Sequence, residues 1–251
     1  MLRQILALIF IFVCTTIAWV VLGSTIFSRT YGANQRLQWH VASIWGTSQE
    51  QSPPTAHYTV TEQITSTTVE NGKLVAHNEK LEHQILLPLE STSIRVNIHL
   101  DPRQKGLLWY STYTVEFGGD YVFGNTASEA RTVAFRLNSP AQKAIYDGLQ
   151  MKIDYQIVPL VTDDQGTVAH ATLPPQSTAK LHVAYRSQGL DSWRYKLAEG
   201  IGQATDFQLI MQTNFRDIDF ADDTLSPTSK SPADGNSHGN TVASFPVFRP
   251  A

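Results

Sequence analysis

The sequence predicts a mainly β protein, in which an antiparallel β-sandwich-like domain follows one N-terminal transmembrane helix. The first observation is that residues 4–27 contain no Asp, Glu, Lys, Arg, His or Pro. The second is that apolar and polar residues alternate with a period of two from Thr55 onward. The third is a series of short strand-like segments, separated by turn-like residues, that continues to about residue 225. Such a series is typical of a β-sandwich.

The apolar run of residues 4–27 is long enough to cross a lipid bilayer. As a helix it measures about 36 Å, compared with about 30 Å for the hydrocarbon core. A cleaved signal peptide has a shorter apolar region, followed by small residues at the cleavage site. A lipoprotein anchor needs small residues before its cysteine, whereas "IFV" precedes Cys14. We therefore expect a retained transmembrane helix.

Residues 28–54 are predicted to form an amphipathic helical connector. Leu37, Val41 and Trp45 recur at the spacing of one helix face. One interpretation is a helix that lies on the bilayer, with Trp39 and Trp45 at headgroup depth, where tryptophan is enriched. The alternative is a connector that packs onto the domain, and the spacing favours neither.

The strand predictions depend on local signals. Asn71-Gly72 stands between two strand-like runs and predicts a hairpin turn, because both turn positions must accept positive φ. In residues 92–100, apolar and polar residues alternate, which predicts a strand with one buried and one solvated face. Gly118-Gly119 is interpreted as a turn. Residues 139–149 are interpreted as a helix, with Ser139 as its cap.

The chain divides into five predicted segments. The last of them is rich in Ser, Pro, Gly, Asn and Asp, so it buries too little apolar surface to offset the entropy of ordering. The segments are a short N-terminal end (1–3), the transmembrane helix (4–27), the connector (28–54), the β-rich domain (55–225) and a flexible tail (226–251).

Composition excludes several function classes. The net charge of −3 and the absence of a Lys/Arg block argue against a nucleic-acid partner. Cys14 is the only cysteine, so an internal disulfide or a thiolate metal cluster cannot form within the chain. The sequence contains no nucleophile elbow, phosphate loop or dinucleotide fingerprint. We therefore predict no catalytic residues and no cofactor.

The acidic segment "DIDFADD" is a weak candidate for a metal site, with Asp217, Asp219, Asp222 and Asp223 as its carboxylates. A calcium loop of the EF-hand type also needs an oxygen ligand at its fifth position, Gly at its sixth and Glu at its twelfth. Counted from Asp217, these positions hold Ala, Asp and Thr. An acidic surface loop is the favoured interpretation.

Aromatic residues supply the second candidate site. Trp109, Tyr113 and Trp193 are candidates for a ligand-stacking patch, together with Tyr110 and Tyr195. Cross-strand packing in a β-sheet uses the same residue types and is the favoured alternative.

Four stretches, in order, resemble the CreD-type family of bacterial inner-membrane proteins. The resemblance extends from the apolar run to about Lys230. The stretches are "LQWHVASIWGTSQEQSPP" (37–54), "KGLLWYSTYTVEFGGDYVF" (105–123), "SQGLDSWRYKL" (187–197) and "DFQLIMQTNFRDIDFADDTLSPTSK" (206–230).

The resemblance implies an inner-membrane location, an extracytoplasmic β-rich domain and a role in envelope physiology. Arg3 lies on one side of the apolar run and Arg29 and Arg36 on the other, so the charges alone leave the orientation open. The family has no established enzyme activity, so it implies no catalytic residues. CreD-type proteins continue into several further transmembrane helices, so we expect this chain, which stops at Ala251, to be a fragment or a shortened form.

We therefore expect a non-catalytic, membrane-anchored envelope protein that acts in envelope integrity or stress response by binding or scaffolding. The expected partners are the lipid bilayer and other envelope membrane proteins. Two alternatives remain open. One is an envelope hydrolase with a site composed of scattered side chains, and the other is a carbohydrate- or lipid-binding module.

Overall fold

The computed structural model describes residues 2–70, 73–106, 108–141, 146–197, 206–216, 218, 227–232 and 241–245. They form one long N-terminal helix followed by a mainly β domain, as the sequence predicts.

Helix α1 spans Leu2–Trp45 without interruption, so the apolar run and the first part of the connector form one helix of 44 residues. Its segment Arg3–Arg29 is long and apolar enough to cross a membrane. Hydroxyl groups within this segment donate hydrogen bonds to backbone carbonyls one turn earlier, as Thr16 does to Phe12 (2.8 Å) and Thr25 to Val21 (2.7 Å). These hydroxyl groups therefore have hydrogen-bond partners in the absence of water.

The strands of the domain follow in chain order. They are β1 (Gln49–Gln51), β2 (Thr55–Glu70), β3 (Lys73–Leu86), β4 (Leu89–Leu100), β5 (Arg103–Lys105), β6 (Leu108–Tyr110), β7 (Thr112–Asn125), β8 (Arg131–Asn138), β9 (Tyr146–Ile153), β10 (Gln156–Ile157), β11 (Leu160–Asp163), β12 (Gly166–Leu173), β13 (Ser177–Leu190), β14 (Trp193–Tyr195), β15 (Phe207–Thr213), β16 (Ser229–Pro232) and β17 (Thr241–Phe245).

Two sheets carry the core. The larger has eight strands in the order β10-β9-β13-β7-β4-β15-β17-β16, and the smaller has five in the order β11-β12-β8-β2-β3. Their pairings are antiparallel except between β15 and β4. Phe123 of the larger sheet meets Phe135 of the smaller edge to face, with ring centroids 5.6 Å apart. Buried side chains of both sheets form one apolar cluster, which is the arrangement of a β-sandwich.

Alternation along the strands explains which residues enter this core. Ile94, Val96 and Ile98 of β4 are buried, and the polar residues between them are exposed, as predicted. The predicted hairpin is also present, because β2 and β3 pair with Glu70 opposite Lys73 and only two residues connect them. Beyond His57, β2 pairs with β3 alone and the hairpin extends past the smaller sheet.

Three segments differ from the sequence predictions. Gly118-Gly119 lies inside β7 rather than in a turn, and the ring of Tyr121 covers the space that a side chain on Gly119 would occupy. Strand β9 begins at Tyr146, within the segment that is predicted to be helical. In the segment that is predicted to be flexible, β16 and β17 add to the larger sheet at the edge of β15. Backbone hydrogen bonds allow this pairing even where few apolar side chains are available.

The domain begins before Thr55, because β1 pairs in parallel with β14. Gln49 and Gln51 are buried in spite of their polar side chains. The Gln49 amide donates to the Gln188 carbonyl (2.7 Å) and accepts from the Ser187 hydroxyl (2.9 Å). These bonds fasten the segment after the helix to β13.

The end of α1 packs on the domain. Val41 forms a buried apolar cluster with Tyr110 and Leu190, and Trp45 packs against that cluster. The Arg103 guanidinium lies 4.5 Å from the centre of the Trp45 ring. This part of the helix therefore has the placement expected of a connector that packs onto the domain.

Candidate functional site on the eight-stranded sheet

The outward face of the larger sheet carries a groove across strands β7, β4 and β15. Its volume is about 490 Å³. It lies on the side of the sheet that faces away from the apolar core, because Val96 and Phe117 turn their side chains inward while their neighbours turn outward. The lining residues are Arg95, Val96, Asn97, Glu116, Phe117, Gly118, Ile210 and Gln212.

The register of the strands explains why a groove forms there. Gly118 is paired with Arg95 on one side and with Ala184 on the other, so a glycine and an alanine leave the middle of the face without bulk. A Cβ on Gly118 would approach only the Arg95 carbonyl oxygen, at 3.9 Å. Backbone packing therefore does not require glycine at position 118. The lack of a side chain there leaves open space on the outward face.

Polar side chains border the groove. Asn97 pairs in register with Gln212 of β15 and with Glu116 of β7. The Glu116 carboxylate is engaged by a hydrogen-bonded ion pair with Arg186 of β13. In the part of the chain that the structure describes, the Arg95 guanidinium has no ion-pair or hydrogen-bond partner. Arg95 is thus an available cation beside two side-chain amides.

Ile210 supplies an apolar wall beside Arg95, with which it pairs in register. The groove can therefore hold a small molecule that has an anionic end at Arg95 and an aliphatic part at Ile210. Amide groups of Asn97 and Gln212 add hydrogen-bond donors and acceptors along the same edge.

One His–Asp pair lies on the same face, one step along the strands. Nδ1 of His182 is 2.9 Å from Oδ1 of Asp120, and both side chains are partly exposed. Ser93 is paired with Asp120 on the opposite side from His182. Nucleophilic catalysis requires the imidazole between the hydroxyl and the carboxylate. Here the carboxylate lies between the other two groups, so these three residues do not form a catalytic triad.

The aromatic candidates differ in their exposure to solvent. Trp109 is 67% exposed on the small sheet of β5 and β6, whereas Trp193 is half-buried against the core. The indole N–H of Trp193 has no hydrogen-bond partner within the described residues. Tyr113 is 4% exposed and donates its hydroxyl to the Ser192 carbonyl. Tyr113 is therefore not placed to stack on a surface ligand, and the three candidate side chains do not share one exposed surface.

The remaining candidates are placed only in part. Asp217, Asp219, Asp222 and Asp223 lie outside the described residues, as does the side chain of Trp39. Among the residues that the structure does describe, no three His, Cys, Asp or Glu side chains come close enough together to hold a metal ion.

The groove was not found from the sequence. The polar residues between the buried positions of β4 mark its outward face, so Arg95 and Asn97 could have been placed there by alternation. No sequence signal relates them to Gly118 or Ile210, because the pairing of β15 with β4 joins distant segments of the chain.

No protein-family model and no curated protein sequence matches the chain. Solved structures are similar over part of its length. A Legionella pneumophila protein whose name suggests nutrient binding aligns with 12% identity and a TM-score of 0.42, covering 65% of this chain and 64% of that one. An M1 zinc metallopeptidase of Deinococcus radiodurans aligns with 12% identity and a TM-score of 0.36, covering 63% of this chain and 38% of that one. This chain spans less than two thirds of the length of either structure, and likenesses of this size carry no functional argument.

Proposed function

We propose that the protein is a membrane-anchored, extracytoplasmic binding module, and that its groove takes a small aliphatic monocarboxylate. The observation that carries the proposal is the open groove beside the unpaired Arg95 guanidinium. The CreD-like resemblance adds the bacterial inner membrane as the location and envelope integrity or stress response as the context. In this proposal the β domain works by binding and not by catalysis.

The anchor is the apolar segment Arg3–Arg29 of α1. Lipid solvates its apolar side chains, and the intrahelical hydroxyl bonds lower the cost of placing Thr and Ser in hydrocarbon. Extraction of membranes with alkaline carbonate tests the anchor, because an embedded helix stays in the pellet. Release of the intact chain into the supernatant would contradict membrane anchoring.

The charge of the groove favours a monoanion. Within the described part of the chain, Arg95 is an unpaired cation at its edge, and Arg186 is already engaged by Glu116. A second negative charge on the ligand would meet the Glu116 carboxylate, which also lines the groove. Because the groove is open to water, charge-assisted hydrogen bonds to Arg95 are worth less than buried ones, and we expect affinity in about the millimolar range.

A pair of matched probes tests the groove. Isovalerate and its neutral analogue isovaleramide have the same shape and differ in charge. We expect ligand-detected NMR with the full chain in nanodiscs to show binding of isovalerate and much weaker binding of isovaleramide. Arg95→Gln should weaken isovalerate binding by about tenfold or more, as for loss of a charge-assisted bond.

Gly118→Val fills the groove without changing any charge, and it should reduce binding of both probes. Lys180→Gln removes one positive charge from the outward face at the far end of β13 and serves as the control, so its binding should match the wild type. The proposed ligand class would be overturned if isovalerate and isovaleramide bound equally well to the wild type and to every variant. It would also be overturned if neither probe bound to the wild type.

A further inference from the structure

The small hairpin of β5 and β6 lies along the last turns of α1. At its base, Tyr110 packs against Val41, and the Arg103 guanidinium stacks on the Trp45 ring. Nearer its tip, a Cβ on Gly106 would lie 3.9 Å from Leu37. Along the hairpin from base to tip, the neighbouring helix residues thus change from 41–45 to 37. The hairpin therefore runs back along the helix toward the apolar segment.

Its tip is close to the membrane in the proposed arrangement. Leu37 follows Arg29, the end of the apolar segment, by eight residues, or about 12 Å along the helix axis. The headgroup layer on each side of the bilayer is about 5–8 Å thick. The apolar segment, about 40 Å as a helix, exceeds the hydrocarbon core, and a helix relieves such a mismatch by tilting, which lowers one side of an attached domain. The bilayer surface is thus within reach of side chains at the hairpin tip.

The side chains of the last pair before this tip, Lys105 and Leu108, and of Trp109 in the pair behind it are of the kind found at membrane interfaces. Trp109 is 67% exposed and Leu108 is 38% exposed, so both apolar groups contact water when no lipid is present. Lys105 is paired with Leu108 across the hairpin and has no ion-pair partner within the described residues. Trp is enriched at headgroup depth, and Lys is attracted to anionic lipid surfaces.

We infer that the hairpin Arg103–Tyr110 is a second contact between the domain and the bilayer, with Trp109 inserted among the lipid headgroups. Its continuity with the anchoring helix selects lipid, and not another protein, as the occupant of this exposed apolar tip. Together the helix and the hairpin give the domain two points of attachment, which restricts its tilt and rotation above the membrane. This inference rests on the membrane anchoring in the proposed function.

Fluorescence quenching by brominated lipids tests the contact. The full chain is placed in phosphatidylcholine vesicles that contain some phosphatidylglycerol, with bromine on the acyl-chain carbons nearest the headgroups. The contribution of Trp109 is the difference between the wild type and Trp109→Phe. We expect the bromine to remove most of this contribution. The matched control is Trp193→Phe. The difference between the wild type and this variant is the fluorescence of a half-buried indole in the domain, and bromine should not quench it.

The two proposals fail in different ways. If the Trp109 contribution is unquenched while Trp19 in the apolar segment is quenched by bromine placed deeper in the acyl chains, the anchor holds and the hairpin contact is refuted. If neither indole is quenched, the anchor itself is refuted. Trp109→Phe should retain the wild-type thermal unfolding temperature, because the side chain is exposed in the domain.

Discussion

The hydroxyl of Tyr185 donates a 2.7 Å hydrogen bond to Oε1 of Gln51, and both side chains are buried. Gln51 belongs to the short strand that follows helix α1, whereas Tyr185 lies in the middle of the larger sheet. The Tyr185 ring stacks on Phe117, with centroids 4.9 Å apart. Burial raises the pKa of Tyr185 well above its ordinary value, so the hydroxyl remains a neutral donor. A buried polar bond thus joins the helix connector to the core.

Replacement of Tyr185 by Phe should destabilise the domain. The amide oxygen of Gln51 would remain buried without this donor, at a cost of about 1–3 kcal/mol in the free energy of unfolding. Urea unfolding of the full chain in detergent micelles, followed by tryptophan fluorescence, measures this difference. Tyr155→Phe removes a hydroxyl from a residue that is 82% exposed, and it should change the free energy by less than about 0.5 kcal/mol. Equal unfolding curves for the two variants would show that the buried bond contributes nothing.

Gly189→Ala should also destabilise the domain. Gly189 is paired with Tyr113 across β13 and β7, and a Cβ there would overlap the Tyr113 ring. The ring is buried and its hydroxyl is bonded to Ser192, so it cannot move away freely. Overpacking of this kind costs about 1–3 kcal/mol. The same urea experiment measures the effect.

Gly118→Ala is the matched control, because its new methyl group would meet only the Arg95 carbonyl oxygen at van der Waals distance. The strand position is similar and the added atom is the same. A loss of stability as large as that of Gly189→Ala would mean that the cost comes from the backbone and not from the Tyr113 ring.

Stability should fall at acidic pH through Asp163. The Arg136 guanidinium donates two hydrogen bonds to its carboxylate (3.0 and 2.8 Å), and these, with backbone N–H donors, lower the pKa of Asp163 to about 2. The folded-state pKa lies below the unfolded value of about 4. The carboxylate therefore stabilises the fold above about pH 4, and this contribution is lost as the pH falls toward 2.

Asp163→Asn should lower the urea midpoint at neutral pH, and its difference from the wild type should shrink between about pH 4 and 2. The neighbouring exposed Asp164 supplies the control variant Asp164→Asn, which should follow the wild type throughout. A constant difference between Asp163→Asn and the wild type over the whole pH range would contradict the assignment of this window to Asp163.

Cys14 should be protected from aqueous thiol reagents in membranes. Its side chain is exposed on the helix surface among the described residues, and in the proposed membrane arrangement lipid surrounds it. We expect a membrane-impermeant maleimide to leave Cys14 unmodified in open membrane sheets and to react after denaturation in dodecyl sulfate. A Lys180→Cys variant that also carries Cys14→Ser places the thiol on the exposed sheet face and should react at once. Comparable labelling of both cysteines in membranes would place the helix outside the bilayer.

Local patterns were sufficient to predict much of the fold. The alternation of Ile94, Val96 and Ile98 with polar residues forces one face of β4 into the core, and Asn71-Gly72 is favoured in a two-residue turn. The apolar segment Arg3–Arg29 is recognised by length and composition alone. Each of these signals is contained in a short stretch of chain, because helix length and strand period are local properties.

Local patterns failed where a distant partner decides the structure. Gly118-Gly119 resembles a turn until β4 and β13 pair with it on either side. The backbone of β17 becomes a strand because β15 offers an edge for it. Gln49 has no apolar character, yet it is buried because Gln188 and Ser187 satisfy its amide. In each case the deciding interaction comes from a segment that is far away in the chain.

The sequence by itself determined that an apolar helix precedes a β-sandwich, because hydrophobic periodicity dictates which backbone conformation can bury its apolar side chains. Only the tertiary structure decided where Arg95, Gly118 and Ile210 meet and which way the Trp109 hairpin points. Strand order and the packing of the hairpin on the helix set these positions. Both arise from contacts between residues that no local pattern relates to one another.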